Sequence, residues 1–232
     1  MRRELLKIDG RAVELSLRLN PRARRLIVKV HPSTGEVMVI APTKRGLDRA
    51  VDFARGESAW IAHQLALVPS RVVLAPGVHV PFRGVDHLVL RGDQGPVTVD
   101  PTSGVIKVSG GAEYAPRRLV DFLKKQAKRE VEAKSFEFAA KIGLKPHRIT
   151  VRDTASRWGS CSSTKSLSFS WRLILAPTFV LDYVVAHEVA HMKEMNHGVR
   201  FWRIVEDLIG NVTPAQAWLR LHGSALHRYA AR

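Results

Sequence analysis

The sequence predicts an α+β protein built in two parts, and three observations carry that prediction. Residues 25–41 and 69–111 read as short β-prone runs separated by Gly, Pro and Asp. Apolar residues recur at helical spacing from Pro116 to Ile142 and again from Thr178 onward. The tract Ser109–Gly111 ("SGG"), followed by Pro116 at a helix start, marks a change from one pattern to the other. The expected division is a β-rich part with a helical insertion over 1–110 and a mainly helical part over 111–232.

Along the chain, "RLIVKVH" alternates Leu26, Val28 and Val30 against Arg25 and Lys29, "PSTG" (32–35) reads as a turn, and "EVMVIAP" resumes an extended run that Pro42 ends. This is a hairpin signature. Leu47, Val51, Phe53, Trp60, Ile61 and Leu65 then give helices interrupted near Gly56. "VVLAPG", "HLVLRG", "VTVD" and "GVIKVSGG" are strand candidates. Beyond the long helix that Gly143 stops, "HRITVRD" and "SLSFSWRLILAP" read as two further strands. Helices follow from Thr178, from Val199 to Ile209 before Gly210, and from Pro214.

Composition narrows the function classes. The chain has 232 residues, 45 % of them hydrophobic, enough for a substantial core. No run of about 18 apolar residues is present, so no membrane span is expected. The start lacks the apolar core and cleavage site of a secretory signal, and a lone cysteine, Cys161, excludes an intrachain disulfide framework. A cytoplasmic protein is the expectation. The net charge of +16 gathers in Arg22, Arg24, Arg25 and Lys29 and again in Arg117, Arg118, Lys124, Lys125, Lys128 and Arg129. Such an excess attracts phosphates, nucleic acid or acidic proteins, or it is a solvated basic surface. No aromatic-interleaved RNA-binding motif or helix-turn-helix pattern accompanies it.

The chemistry concentrates in "DYVVAHEVAHMKEMNHGVRFW" (182–202). His187 and His191 are four residues apart, hence on one face of a helix, where two imidazoles can bind one Zn²⁺ at about 2.0–2.1 Å. Glu188 points roughly 100° around the helix, where it reaches a water on the metal as a general base. The apolar flanks bury this helix, so its polar groups need partners. A catalytic zinc takes three protein ligands. His197 is the first candidate for the third, and Glu206 or Asp207 on the next helix are the alternatives, with a second role as partners that fix an imidazole tautomer. For His197 to reach the metal the helix must end after His191, with Asn196 taking a left-handed cap conformation and Gly198 adding freedom. The spacing also matches the metzincin consensus, but Glu194 stands where that pattern needs Gly and no Met follows Met195, so that group is excluded.

The segment from "RWGSC" (157–161) through "WRL" (171–173), "AP" (176–177), "DYVVAHEVAH" and "NHGVRFW" resembles the YgjP-like metal-dependent hydrolases, which are related to the WLM and SprT-like zinc metallopeptidases. "RARRLIVKV" and Trp60-Ile61 are similar to the family's N-terminal segment. The resemblance implies a zincin-like core after the β-rich part, one zinc ion on His187, His191 and His197, and Glu188 as the base. Gly198 replaces the more usual serine. Family members are assigned as metallopeptidases chiefly by motif, which implies a peptide or protein substrate. A pyrophosphatase activity on UTP is also attributed to the family, and SprT-like enzymes act on proteins at DNA. For the nucleotide alternative Arg22, Arg25 and Arg157 are candidate phosphate-binding residues, with a structural ion pair the competing role for Arg157. Leu167–Leu173 is either an edge strand for an extended peptide or plain core sheet. Cys161 is either a metal or redox ligand or a small buried residue. Tyr183 either lines the site or packs in the core, and Trp158, Trp171 and Trp202 are candidate core anchors.

Overall fold

Alternating apolar side chains in the first seventy residues build a four-stranded sheet. The computed structural model describes residues 2–31, 34–68, 70–154 and 157–230. Strands β1 (Arg2–Ile8) and β2 (Arg11–Leu19) form an antiparallel hairpin. Its two-residue turn has positive φ at both Asp9 and Gly10 (45° and 78°), which matches the strands' right-handed twist. Strands β3 (Ile27–Val30) and β4 (Val37–Ala41) form the expected antiparallel hairpin. Pro32 and Ser33 of its "PSTG" turn lie outside the described residues. β4 also pairs parallel with β2, so the order is β1-β2-β4-β3. Helices α1 (Lys44–Asp48), α2 (Ala50–Gly56) and α3 (Ser58–Ala66) follow. Ala50, Ala54 and Ile61 join Leu15, Leu17, Val37 and Val39 in one buried cluster. These elements form the first compact unit, Met1–Ser70.

The second unit is Arg71–Arg232. It opens with β5 (Val72–Val73). A second four-stranded sheet, ordered β6-β7-β9-β8, then takes β6 (His79–Phe82), β7 (Val85–Gly92), β8 (Thr98–Asp100) and β9 (Val105–Ser109). Helix α4 (Ala115–Lys141) buries Leu119, Leu123, Ala127, Val131 and Phe138, one stripe at near-helical spacing. A three-stranded sheet, ordered β10-β12-β11, follows from β10 (Arg148–Arg152), β11 (Gly159–Cys161) and β12 (Ser166–Ser170). A 3-10 turn (Trp171–Leu175) leads into α5 (Thr178–Ala190), α6 (Val199–Ile209) and α7 (Thr213–Leu226). The short strand β13 (Tyr229–Ala230) returns to pair parallel with β5. The fold is α+β, and among the described residues no helix is long and apolar enough to cross a membrane.

Two expectations change. Residues 71–110 were expected with the N-terminal part, yet Val80, Val89, Ile106 and Val108 share one core with Leu119, Phe169, Leu173 and Val185. The reason is a tertiary contact. The β6–β7 turn donates Arg83 N–H to the Ile174 carbonyl (2.8 Å) and Gly84 N–H to the Leu175 carbonyl (3.1 Å), docking the sheet on the turn that precedes α5. Second, "SLSFSWRLILAP" is not one strand. It stops at Ser170, whose hydroxyl accepts from Arg172 N–H (3.4 Å), and the next five residues are all buried. A strand exposes alternate side chains to opposite faces; the tight turn lets Trp171, Leu173, Ile174 and Leu175 enter the core together.

Candidate metal centre

Helix α5 is apolar around nearly its whole circumference, with Val180, Leu181, Val184, Val185, Val189 and Ala190 all buried. His187 and Glu188 sit in its last turn and His191 caps it. The chain then turns tightly. Met192 N–H bonds to the Val189 carbonyl, and Lys193 and Glu194 N–H bond to the Ala190 carbonyl, at 2.9–3.0 Å. Gly198 N–H bonds to the Asn196 carbonyl at 2.8 Å. This reversal brings the His197 ring to 5.0 Å from His187 and 4.7 Å from His191, centroid to centroid. The expected helix break is present, but no left-handed residue makes it: Asn196 is not among the positive-φ residues and Gly198 has φ −81°. Consecutive ordinary turns suffice.

One ligand atom from each of the three histidines lies within 4.8 Å of the others, and His187 Nε2 faces His197 Nε2 at 3.1 Å. Phe201, fully buried at the start of α6, packs against all three rings at 4.6–4.9 Å. It walls the cluster on one side with apolar surface, which strengthens electrostatic interactions there.

The donor set fits a divalent cation of zinc's type. His191 Nδ1 lies 3.1 Å from the Glu194 carbonyl. A carbonyl can only accept, so Nδ1 carries the proton and the Nε2 lone pair is free for the centre. Burial, reinforced by the nearby charges that His191 and His197 would carry, pushes His187 down to about 4. Burial also lowers His191, against the opposing pull of its bond to Glu194. Both rings are therefore neutral near pH 7, the form that ligates metals. His187 Nδ1 is buried without a hydrogen-bond partner among the described residues. Glu206 and Asp207 are exposed on α6 and stand outside the three-histidine group. The tautomer-fixing partner of His191 is a backbone carbonyl, a role the sequence gives no sign of.

Glu188 is 6 % exposed. Burial pushes its carboxyl up to about 7, with the charge of Arg157 pulling the other way. It lies under β11: a Cβ on Gly159 would sit 2.5 Å from Glu188 Cγ and 2.6 Å from its Oε1. Only a glycine lets the strand backbone approach this closely. That role was not read from "RWGSC", although a glycine inside a strand is the signal that marks it. Burial, then the Glu188 charge, pushes the Cys161 thiol up to about 11, so it stays protonated and outside the ligand group.

Of the two readings of Leu167–Leu173, core sheet is the one the structure has. Leu167 and Phe169 belong to β12, the central strand of its sheet; β11 is the edge beside α5. Ser170 N–H of β12 donates to the Trp158 carbonyl (2.8 Å), and Ser162 N–H donates to the Ser166 carbonyl of β12 (3.0 Å). By the alternation of an antiparallel pair, Gly159 and Cys161 direct their N–H and C=O groups outward.

Among the packing residues, Tyr183 accepts a hydrogen bond from Gln216 Nε2 (3.2 Å) and lies edge-on to His187 at 5.9 Å. Trp158 stacks on His227 at 4.9 Å and lies against Gly223 of α7. Trp171 is fully buried and lies under the Arg172 guanidinium at 4.6 Å. Trp202 lies 6.0 Å from the His187 ring. Arg22 and Arg25 belong to the first unit, where Arg25 lines a groove with Phe53 and Trp60.

Comparison with known proteins gives three results. No curated protein sequence gives a significant match. The crystal structure of the metallopeptidase zymogen abylysin from Pyrococcus abyssi matches 43 % of this chain and 98 % of its own, at 19 % identity and a TM-score of 0.36. The family model described as YgjP-like, metallopeptidase domain, matches residues 24–222. With most of its length matched, the chain belongs to the YgjP-like metallopeptidase family.

Proposed function

We propose that the protein is a zinc-dependent peptidase in which His187, His191 and His197 hold the metal and Glu188 is the general base. The observation that carries the reading is the convergence of three imidazole nitrogens within 4.8 Å beside a buried carboxyl poised near 7. A bound zinc ion supplies Lewis acidity, lowering the pKa of water toward neutrality and polarising a carbonyl. The rest falls to the chain. The outward backbone groups of Gly159 and Cys161 hold an extended peptide by strand pairing. Glu188 takes the proton of the attacking water and returns it to the leaving amine. Its raised pKa suits both transfers near neutral pH. Arg157 opposes that rise and keeps part of the carboxyl population ionised as base. Phe201 and the apolar flanks of α5 back the histidines with apolar surface on one side, while His197 is exposed to incoming substrate.

The test is metal content and cleavage of an unfolded protein such as casein, in wild type and Glu188→Gln. The expected result is one zinc per chain in both. Cleavage in the variant should fall by about 10²–10⁴-fold, the usual weight of a general base. Cleavage that survives the substitution sinks the assignment of Glu188. Pyrophosphate release from UTP with no protein cleavage would replace the peptide substrate with a nucleotide at the same centre.

A further inference from the structure

A cationic strip crosses the outer face of the three-stranded sheet of the second unit. Leu167 and Phe169 point into the core, so Ser166 and Ser168 face the other way, as alternation requires. On that outer face Arg148, Arg152 and Arg157 line a hollow of about 530 Å³ together with the hydroxyl residues Thr150, Ser160, Ser166 and Ser168. A second hollow of about 520 Å³ shares Arg148 and Thr150 with the first and is closed by Lys124, Lys125 and Lys128 of α4. The two hollows meet at Arg148 and Thr150. Among the described residues no carboxylate lines either hollow. Asp153 is committed to Arg172 and Glu132 to Lys128 (3.7 Å), and Glu188 acts on Arg157 and Cys161. Lys124, Lys125, Arg148 and Arg152 make no ion pair among the described residues. The strip joins half of the basic cluster in α4 to two arginines of β10, some twenty residues later in the chain, which only the packing of β10 beside α4 brings together.

We propose that this strip binds the phosphodiester backbone of nucleic acid without reading its bases. Cations supply the counter-charge and serine and threonine hydroxyls donate to phosphate oxygens, the groups that fix register on a backbone. An acidic protein would also need apolar anchors, and the lining has none beyond Ile149, Val151 and Leu167. It has no aromatic side chain either, so unstacked bases have no platform. The expected ligand is therefore a duplex, with its higher charge density, and binding is indifferent to sequence.

The experiment is titration of the full chain against a labelled duplex by fluorescence anisotropy over a range of salt, with duplex DNA and duplex RNA as parallel arms. Five phosphate contacts predict a log–log salt slope of about −4.5. Replacing Lys124, Lys125, Lys128, Arg148 and Arg152 by Gln should weaken low-salt binding at least ~100-fold and flatten the slope. Arg157 is left intact because it acts on Glu188. The sub-variants Lys124→Gln/Lys125→Gln/Lys128→Gln and Arg148→Gln/Arg152→Gln each give a partial loss should the fivefold variant not fold. Arg22→Gln/Arg24→Gln/Arg25→Gln in the first unit, which removes charge outside the strip, should weaken binding less than ~5-fold; an equal loss there would make the charge effect general and overturn the strip. The proposal is overturned if wild type binds neither duplex at low salt, if the strip variants bind like wild type, or if polyglutamate competes as well as duplex. Binding is read without turnover, so the outcome is independent of the peptidase reading.

Discussion

Two glycines sit against the two ends of α5, and they answer to different constraints. Gly84 lies in the β6–β7 turn with φ +79°, and a Cβ there would meet Pro177 at 2.7–2.9 Å, backbone atoms included. Gly159 needs no unusual φ. A Cβ there would meet the side chain of Glu188 at 2.5 Å. The turn that holds the first glycine ties a sheet to the 3-10 turn before the helix through two backbone hydrogen bonds, one from Arg83 and one from Gly84. The second leaves room for one carboxyl at its end. Under the proposed mechanism one bears on whether the unit holds together and the other on whether the centre has its base, so substitutions at the two should separate stability from activity.

Gly84→Ala should give the largest effect. A left-handed alanine costs about 1–2 kcal/mol, and overlap with an immobile proline backbone adds about 1–3 kcal/mol. A loss of about 3 kcal/mol in urea unfolding is expected, with zinc content and activity per folded molecule unchanged. A variant with normal stability would show that the turn does not depend on its docking at Pro177.

Gly159→Ala should show the converse. Glu188 is displaced and the histidines are not, so zinc content holds while cleavage falls by about 100-fold, equivalent to ~2.7 kcal/mol in barrier. Loss of zinc together with activity would mean that β11 supports the whole centre and not the carboxyl alone.

The same contrast explains what could be read from the chain. His187, Glu188 and His191 are a local pattern on one helix, and His197 follows from spacing once the helix must end. The long α4 stripe is equally local. What escaped reading depends on distant segments meeting. Ser109–Gly111 and Pro116 look like a boundary because glycine and proline punctuate sequence. They say nothing of Arg83 and Gly84 reaching carbonyls some ninety residues on. β11 is three residues of Gly, Ser and Cys, too short and too small in side chain for any periodicity. Its neighbour β12 carries the apolar signal, which by itself does not distinguish an edge strand from a central one. The lysines of α4 and the arginines of β10 are visible as charges, but only the tertiary fold makes them a strip.

A further tether to the site's sheet tests a smaller effect. Asp153 follows β10 and pairs with the guanidinium of Arg172, which also donates to the Tyr229 carbonyl at 3.1 Å. Burial alone would raise the Asp153 pKa; the Arg172 hydrogen bond and charge outweigh it and hold the carboxyl below its ordinary value. A depressed carboxylate stabilises the fold above its unfolded pKa, about 3.9. That contribution is lost as pH falls through the lower folded value. The side chain is 55 % exposed, so the contribution is at most about 1 kcal/mol. Melts of wild type and Asp153→Asn should differ by that amount at neutral pH and converge toward pH 3. A gap that widens on acidification would contradict the pairing.

The smallest effect is expected at Gly198, where neither constraint of the first two glycines applies. Its φ of −81° suits any residue, and a Cβ would meet nothing within 4 Å. It caps α6 with ψ −175° and offers no side-chain acceptor to the first-turn N–H groups. A serine in that extended conformation accepts one of them, a gain over glycine of a few tenths of a kcal/mol. Gly198→Ser should therefore raise the melting temperature by roughly 1 °C or less with zinc binding intact. A loss of zinc would mean that the turn delivering His197 cannot carry a side chain here, and that this glycine belongs with Gly159 as a residue of the centre.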